Sequence, residues 1–238
     1  MKSNYDLASR NYNLGTETAF TVLAKANKLA SEGQNIINLG IGQPDFKTPE
    51  HIVEAGIKAL KDGHHGYTQS TGIPNLREAV SNDIKKRYNE NVSPENIMIV
   101  PGGKVIIFFS AMLMGEKNKE ILYPNPGFPI YQSMIEYMGG KSIPMKLEEN
   151  KGYNADIKGL ESLITDKTKL LIINSPNNPC GSVIPESDLE QIANLAVKND
   201  LIVLSDEIYS ELSFSNEYKS IANFCPERTI VSNGLSKW

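Results

Sequence analysis

The chain is 238 residues long, carries 24 Lys and Arg against 28 Asp and Glu, and is 40% hydrophobic, the balance of a soluble globular protein with a sizeable core. A net charge of −4 with no long basic run argues against nucleic acid or an anionic membrane as the main partner. Two cysteines far apart, Cys180 and Cys225, argue against a disulfide framework, and the first ten residues have no apolar stretch of a secretory leader, so a cytoplasmic location is expected.

Residues 16–32 have the apolar spacing of an amphipathic helix stopped by Gly33. An extended loop over 34–48 is expected next, then helices over 49–61, with Pro49 at the first turn, and over 74–88. From there short apolar strands alternate with helices. Strands are expected at 96–100, 120–123, 141–146, 169–173, 201–205 and 229–232. Helices are expected at 104–114, 129–138, 157–164 and 187–197, the last opened by a Ser187–Glu190 capping box. The apolar run at 105–114 is broken by Ser110 and is too short to span a bilayer. The alternation implies an α/β fold: a mostly parallel sheet between two helical layers.

In such sheets ligands bind beyond the carboxyl ends of the strands, and the chemically suggestive residues fall there. Gly102-Gly103-Lys104 joins a strand-like run to a helix, where close backbone and unpaired N–H groups suit a phosphate, although a plain tight turn has the same glycines. Asp206 emerges from the apolar run 201–205, where a carboxylate needs a cation such as a protonated pyridine nitrogen; the alternative is a helix N-cap. Tyr209, three residues on, offers a phenol to the same pocket or simply packs. Asn178 precedes Pro179, which limits its backbone and aims its amide. Lys237 follows a buried-looking strand and a Gly-Leu-Ser turn; lysines in desolvated clefts form Schiff bases, whereas most lysines are solvated surface charges. His64 and His65 have no Cys or His constellation around them, so no metal is expected.

The order and spacing of Asn174–Gly181, Asp206–Tyr209 and Leu235-Ser236-Lys237 resemble those of the fold-type I pyridoxal-phosphate enzymes, specifically class I/II aminotransferases, from about Asn35 onward. The resemblance implies the three-layer sheet of the large domain, with an N-terminal arm and part of a small domain over 1–48, the large domain over 49–238, and the C-terminal small domain absent. It implies pyridoxal 5'-phosphate as cofactor, carried by Lys237, which would also shuttle the substrate proton. Asp206 would pair with the pyridine nitrogen, and Tyr209 and Asn178 would bond the ring's 3' oxygen. Gly102, Gly103 and Lys104 would hold the phosphate, and Phe128 would stack on the ring. Gly42 would approach the substrate carboxylate together with Asn178, and Tyr67 would reach the phosphate across a homodimer interface. Gly234 stands where many relatives have a phosphate-contacting serine. Relatives continue past the lysine with further arginines, so the sequence is expected to be a fragment.

The activity implied is transfer of an amino group from an L-amino acid to a 2-oxo acid. A C–S β-lyase shares the same cofactor site, and the sensing domain of a regulator is an alternative of another class. The sensor reading requires a DNA-binding segment ahead of the module, where only a short polar lead stands. A nicotinamide-binding domain is disfavoured because Gly40-Ile41-Gly42-Gln43-Pro44 lacks the third glycine of that fingerprint.

Overall fold

The computed structural model describes residues 7–15, 18–42, 46–88, 90–214 and 218–237. They fall into two compact units, Glu17–Val100 and Met1–Thr16 with Pro101–Trp238. This grouping puts residues 49–100 with the N-terminal helix; the boundary implied by the family resemblance is at 48/49.

The unit Glu17–Val100 contains helices α1 (Thr18–Ser31), α2 (Glu50–Lys61) and α3 (Pro74–Tyr88) and a 3-10 turn at Pro94–Asn96. Pro49 is the N-cap of α2, one residue ahead of the first turn. Arg77 of α3 is buried and fastens the turn, donating from Nε to Pro94 O at 2.9 Å and pairing with Glu95 at 3.1 Å. Residues 96–100 were expected as a strand, but Asn96 ends the 3-10 turn and 97–100 join no sheet among the described residues. Ile99 N–H bonds Thr71 O at 3.0 Å instead. Gly72 permits this contact: its φ is +98°, and a Cβ there would lie 2.7 Å from Ile99 Cγ1. The apolar run 97–100 is thus satisfied by a loop and not by a ladder.

The other unit is built on six strands: β1 (Glu120–Asn125), β2 (Lys141–Glu148), β3 (Asn154–Ala155), β4 (Thr168–Asn174), β5 (Ile202–Asp206) and β6 (Thr229–Ser232). Their order is β3-β2-β1-β4-β5-β6. All neighbours are parallel except β3, which runs antiparallel to β2. Two residues are too few to give a periodic signal, and the sequence pattern did not predict β3.

Four helices cover the sheet: α4 (Gly103–Met114), α5 (Ile130–Tyr137), α6 (Ile157–Leu163) and α7 (Glu186–Lys198). Leu122, Leu171, Ile173 and Val203 pack with Leu160 of α6 and Leu189 and Ile192 of α7. Their strand neighbours Ile121, Leu170, Ile172 and Leu204 face the other way, onto Ile107 of α4 and Tyr131 and Ile135 of α5. Burial on both faces explains why these strands read as unbroken apolar runs. Each such side chain contributes about 1.5–3 kcal/mol of burial.

Asp156 caps α6, accepting from Gly159 N–H at 2.9 Å. The capping box expected for α7 does not form. Pro185 is the N-cap with φ −60° and ψ 148°, so the helix starts at Glu186 and Ser187 lies inside it, its hydroxyl 3.4 Å from Asp188 Oδ1. No helix of the described residues is long and apolar enough to cross a membrane.

Candidate active site

Parallel pairing puts Asn174, Asp206 and Ser232 side by side at the ends of β4, β5 and β6. The central carboxylate is 7% exposed. Tyr131 of α5, fully buried, donates its hydroxyl to Asp206 Oδ2 at 2.6 Å, and Ile208 N–H approaches Oδ1 at 3.4 Å. Burial pushes the Asp206 carboxyl above the ordinary carboxylate range, and the two hydrogen bonds pull it partly back. The Tyr131 phenol is held well above its usual value, first by burial and then by the Asp206 charge. Among the described residues no ion pair to Asp206 is formed. A buried carboxylate with a neutral donor on one oxygen favours a cation beside it.

Asn174 sets the spacing around this group. Its Nδ2 donates to Asp206 O at 2.9 Å, and its Oδ1 accepts from Asn178 N–H at 2.7 Å. Asn178 in turn points its Nδ2 at the Tyr209 hydroxyl, 3.5 Å away. The Lys237 ammonium lies 6.0 Å from the Tyr209 ring centre. On the other side, the Phe128 ring meets Tyr131 edge-on with centroids 5.8 Å apart, and Lys104 Nζ is 6.0 Å from the Phe128 ring centre. An open cleft of ≈ 540 Å³ runs alongside, lined by Asn178, Tyr209, Leu212 and Phe214 among others.

The glycine turn belongs to the same locality. Gly102 has φ 91° and ψ 152°, a backbone state open essentially to glycine alone. Gly103 begins α4, and a Cβ on it would sit 3.8 Å from Ser232 Oγ, beside the strand-end row. A Cβ at Gly234 would meet Ile208 Cδ1 at 3.2 Å, a close approach that a slight shift of the Ile208 side chain would relieve.

Three residues here escaped the sequence reading. Tyr131 looked like an ordinary helix residue, and Asn174 like part of a stiff loop. Glu207 is 1% exposed and accepts from Ser205 Oγ at 2.8 Å and Ser220 Oγ at 2.6 Å, while its N–H donates to Ser232 O at 2.8 Å. It braces the backbone on either side of Asp206 from the opposite face of the strand.

The structure therefore brings together Gly102, Gly103, Lys104, Phe128, Asn178, Asp206, Tyr209 and Lys237 within the sheet-bearing unit. Gly42 and Tyr67 belong to the unit Glu17–Val100, where Tyr67 is exposed. Gln43 and Pro44 of the loop beyond Gly42 lie outside the described residues.

A three-layer, mostly parallel α/β sheet with a buried aspartate, a phenol and a lysine at its strand ends defines the large domain of a fold-type I transferase. Residues 34–238 match the model of the family described as aminotransferase class I and II, and the chain belongs to that family. It is 41% identical over 201 residues to a probable aspartate aminotransferase of Methanocaldococcus jannaschii, covering 84% of this chain and 53% of the relative. It is 36% identical over 242 residues to a probable aspartate/prephenate aminotransferase of Aquifex aeolicus, covering 97% of this chain and 60% of the relative. The solved aspartate aminotransferase of Thermus thermophilus with maleate superposes with a TM-score of 0.94 at 34% identity, over 98% of this chain and 61% of that one. The chain thus spans 53% to 61% of the length of these relatives.

Proposed function

We propose that this chain carries the cofactor-binding part of a pyridoxal-phosphate-dependent aminotransferase that moves an amino group from an L-amino acid to a 2-oxo acid. The observation that carries the reading is the buried Asp206 carboxylate, bonded by Tyr131 on one oxygen and unmatched by any cation among the described residues. A protonated pyridine nitrogen is the cation that fits such a group. The rest of the donor set agrees: a glycine turn at a helix N-terminus for a phosphate, a phenol and an amide for a ring oxygen, and an amine beyond them.

When bound, pyridoxal phosphate supplies an electron sink for charge developing at the amino acid's α-carbon. Asp206 keeps the ring nitrogen protonated, and Tyr131 keeps Asp206 oriented. Asn178 and Tyr209 would bond the ring oxygen, Phe128 would pack against the ring, and the N–H groups of Gly103 and Lys104 would hold the phosphate. Lys237 Nζ would hold the cofactor and would take and return the proton of the α-carbon. By the family resemblance, Gly42 would serve the substrate carboxylate and Tyr67 the phosphate of a second copy in a cytoplasmic homodimer. The relatives' names make L-aspartate the first donor to test.

The test is an absorption titration of the protein with pyridoxal phosphate beside Lys237→Ala, followed by borohydride reduction and peptide mapping. A visible band that is lost in the variant and maps to Lys237 supports the assignment. An equal adduct in Lys237→Ala, or one mapping to another lysine, overturns it.

A further inference from the structure

Behind the loop that carries Asn178 lies a small cavity, with ≈ 20 Å³ of space open to a water-sized sphere. Its walls are mostly apolar, including Met145, Leu147, Ile173 and Ile192, but two amides also line it. Asn177 Nδ2 and Asn154 Oδ1 are both buried and, among the described residues, neither has a hydrogen-bond partner. Asn177 is 5% exposed. Leaving a buried amide group unpaired costs about 1–3 kcal/mol, so two around one cavity call for a common explanation.

The amide orientations are fixed by what the other atoms do. Asn177 Oδ1 accepts from Cys180 N–H at 3.1 Å, so Nδ2 must be the end facing the cavity. Asn154 Nδ2 points to Lys151 O at 3.5 Å, which leaves Oδ1 inward. Flipping either amide would set a donor against a donor or an acceptor against an acceptor. The two amides therefore present one donor and one acceptor to the cavity, the complement of a molecule that both accepts and donates.

We propose that this cavity binds a single water molecule, which accepts from Asn177 Nδ2 and donates to Asn154 Oδ1. The space exceeds the roughly 10–15 Å³ that one water requires. Its second hydrogen has acceptors in Ser182 and Asp188, which also line the cavity; the Ser182 hydroxyl hydrogen is already committed to Tyr153 O at 2.9 Å. The apolar walls exclude a larger polar ligand, and the lack of a second carboxylate or imidazole excludes a metal ion. The water is a structural pin: it ties Asn177, next to Asn178, to β3 at the edge of the sheet. This gives the two-residue strand a purpose that its short ladder does not, and it stands independently of the cofactor assignment.

The experiment is a water-to-amide NOE measurement on the full chain with labelled asparagine side chains, alongside a high-resolution crystal structure. A long-lived water in contact with both the Asn177 and Asn154 amides is the expected result. In Asn154→Ala the Asn177 signal to water is lost and exchange of the Cys180 and Gly181 amides quickens by roughly tenfold, since their loop has lost an anchor. A dry cavity overturns the proposal, as does a direct hydrogen bond between the two side chains. The wild-type measurement decides even where the variant does not fold.

Discussion

Tyr131 and Asp206, 75 residues apart in sequence, share a 2.6 Å hydrogen bond in the interior. The phenol hydrogen is the strongest donor that Asp206 receives, and it fixes which carboxylate oxygen remains available to a partner. A helix on one face of the sheet thus orients a group at the end of β5.

Replacing Tyr131 with Phe keeps the packing against Phe128 and removes only the donor. The buried carboxylate oxygen is then unmatched, and a loss of about 1–3 kcal/mol is expected from the denaturant midpoint at neutral pH. Affinity for pyridoxal phosphate should fall as well, because the freed carboxyl is less well aimed and less acidic. An unchanged midpoint together with unchanged affinity would dismiss the orienting role.

The acid–base behaviour of Asp206 gives a prediction with a definite sign. Its folded-state pKa is raised, above all by burial, so the fold favours the protonated carboxyl. The stability from this group is fully present below the ordinary carboxylate value and is lost as pH rises through the raised one. Asp206→Asn, which cannot ionise, should therefore be more stable than the parent at neutral pH in the absence of cofactor. That advantage should shrink as pH falls through the raised Asp206 value and be gone once pH is below the ordinary carboxylate value of about 4. Cofactor affinity should move in the opposite direction, weakening by roughly tenfold or more. Thermal denaturation at two pH values and a binding titration measure both.

Glu207 is a stability residue by its contacts. Glu207→Ala strands the Ser205 and Ser220 hydroxyls in the interior and opens a void, at an expected cost of about 2–4 kcal/mol. Glu207→Gln retains an acceptor and should cost clearly less. Urea unfolding of the two variants compares them, and equal losses would mean that the charge itself is the requirement.

Gly102 and Gly103 should respond differently to alanine. Gly102→Ala forces a side chain into a glycine-only backbone state and should cost about 1–3 kcal/mol. Gly103→Ala places its methyl at ordinary contact distance from Ser232 and should leave the midpoint within about 0.5 kcal/mol. If both variants lose equal stability, the turn is constrained by something other than the Gly102 dihedral angles.

The sheet was legible because its strands are buried on both faces, so 120–123, 169–173 and 201–205 carry apolar side chains at almost every position. Asp206, Asn178, Tyr209 and Lys237 stood out together, because each falls beyond the carboxyl end of such a run and the order and spacing of their motifs resemble those of one family, although each alone had a structural alternative. Tyr131 did not, since its aromatic ring satisfies the helix pattern and only its hydroxyl has a special partner. Asn174 and Glu207 act through backbone and hydroxyl contacts that depend on which strands become neighbours, and strand order leaves no local trace. The run 97–100 was misread for the converse reason: Ile97, Met98, Ile99 and Val100 have strand composition, but Gly72 brings a loop close enough to occupy Ile99 N–H. The α7 start was displaced by Pro185, whose fixed φ outweighs a serine two positions later.

The strand order also dictates a schedule. Phe128 and Tyr131 follow β1, Asn178 follows β4, Asp206 ends β5 and Lys237 follows β6, so synthesis delivers the pieces in that sequence. While a ribosome is still making the chain, α5 and β4 can dock with the Tyr131 hydroxyl lacking its acceptor. When β5 emerges, it presents an open edge until β6 pairs with it. The chemistry at the strand ends is therefore the last feature of the unit to mature, and a chain stalled before β6 would hold most of the core and none of the finished site.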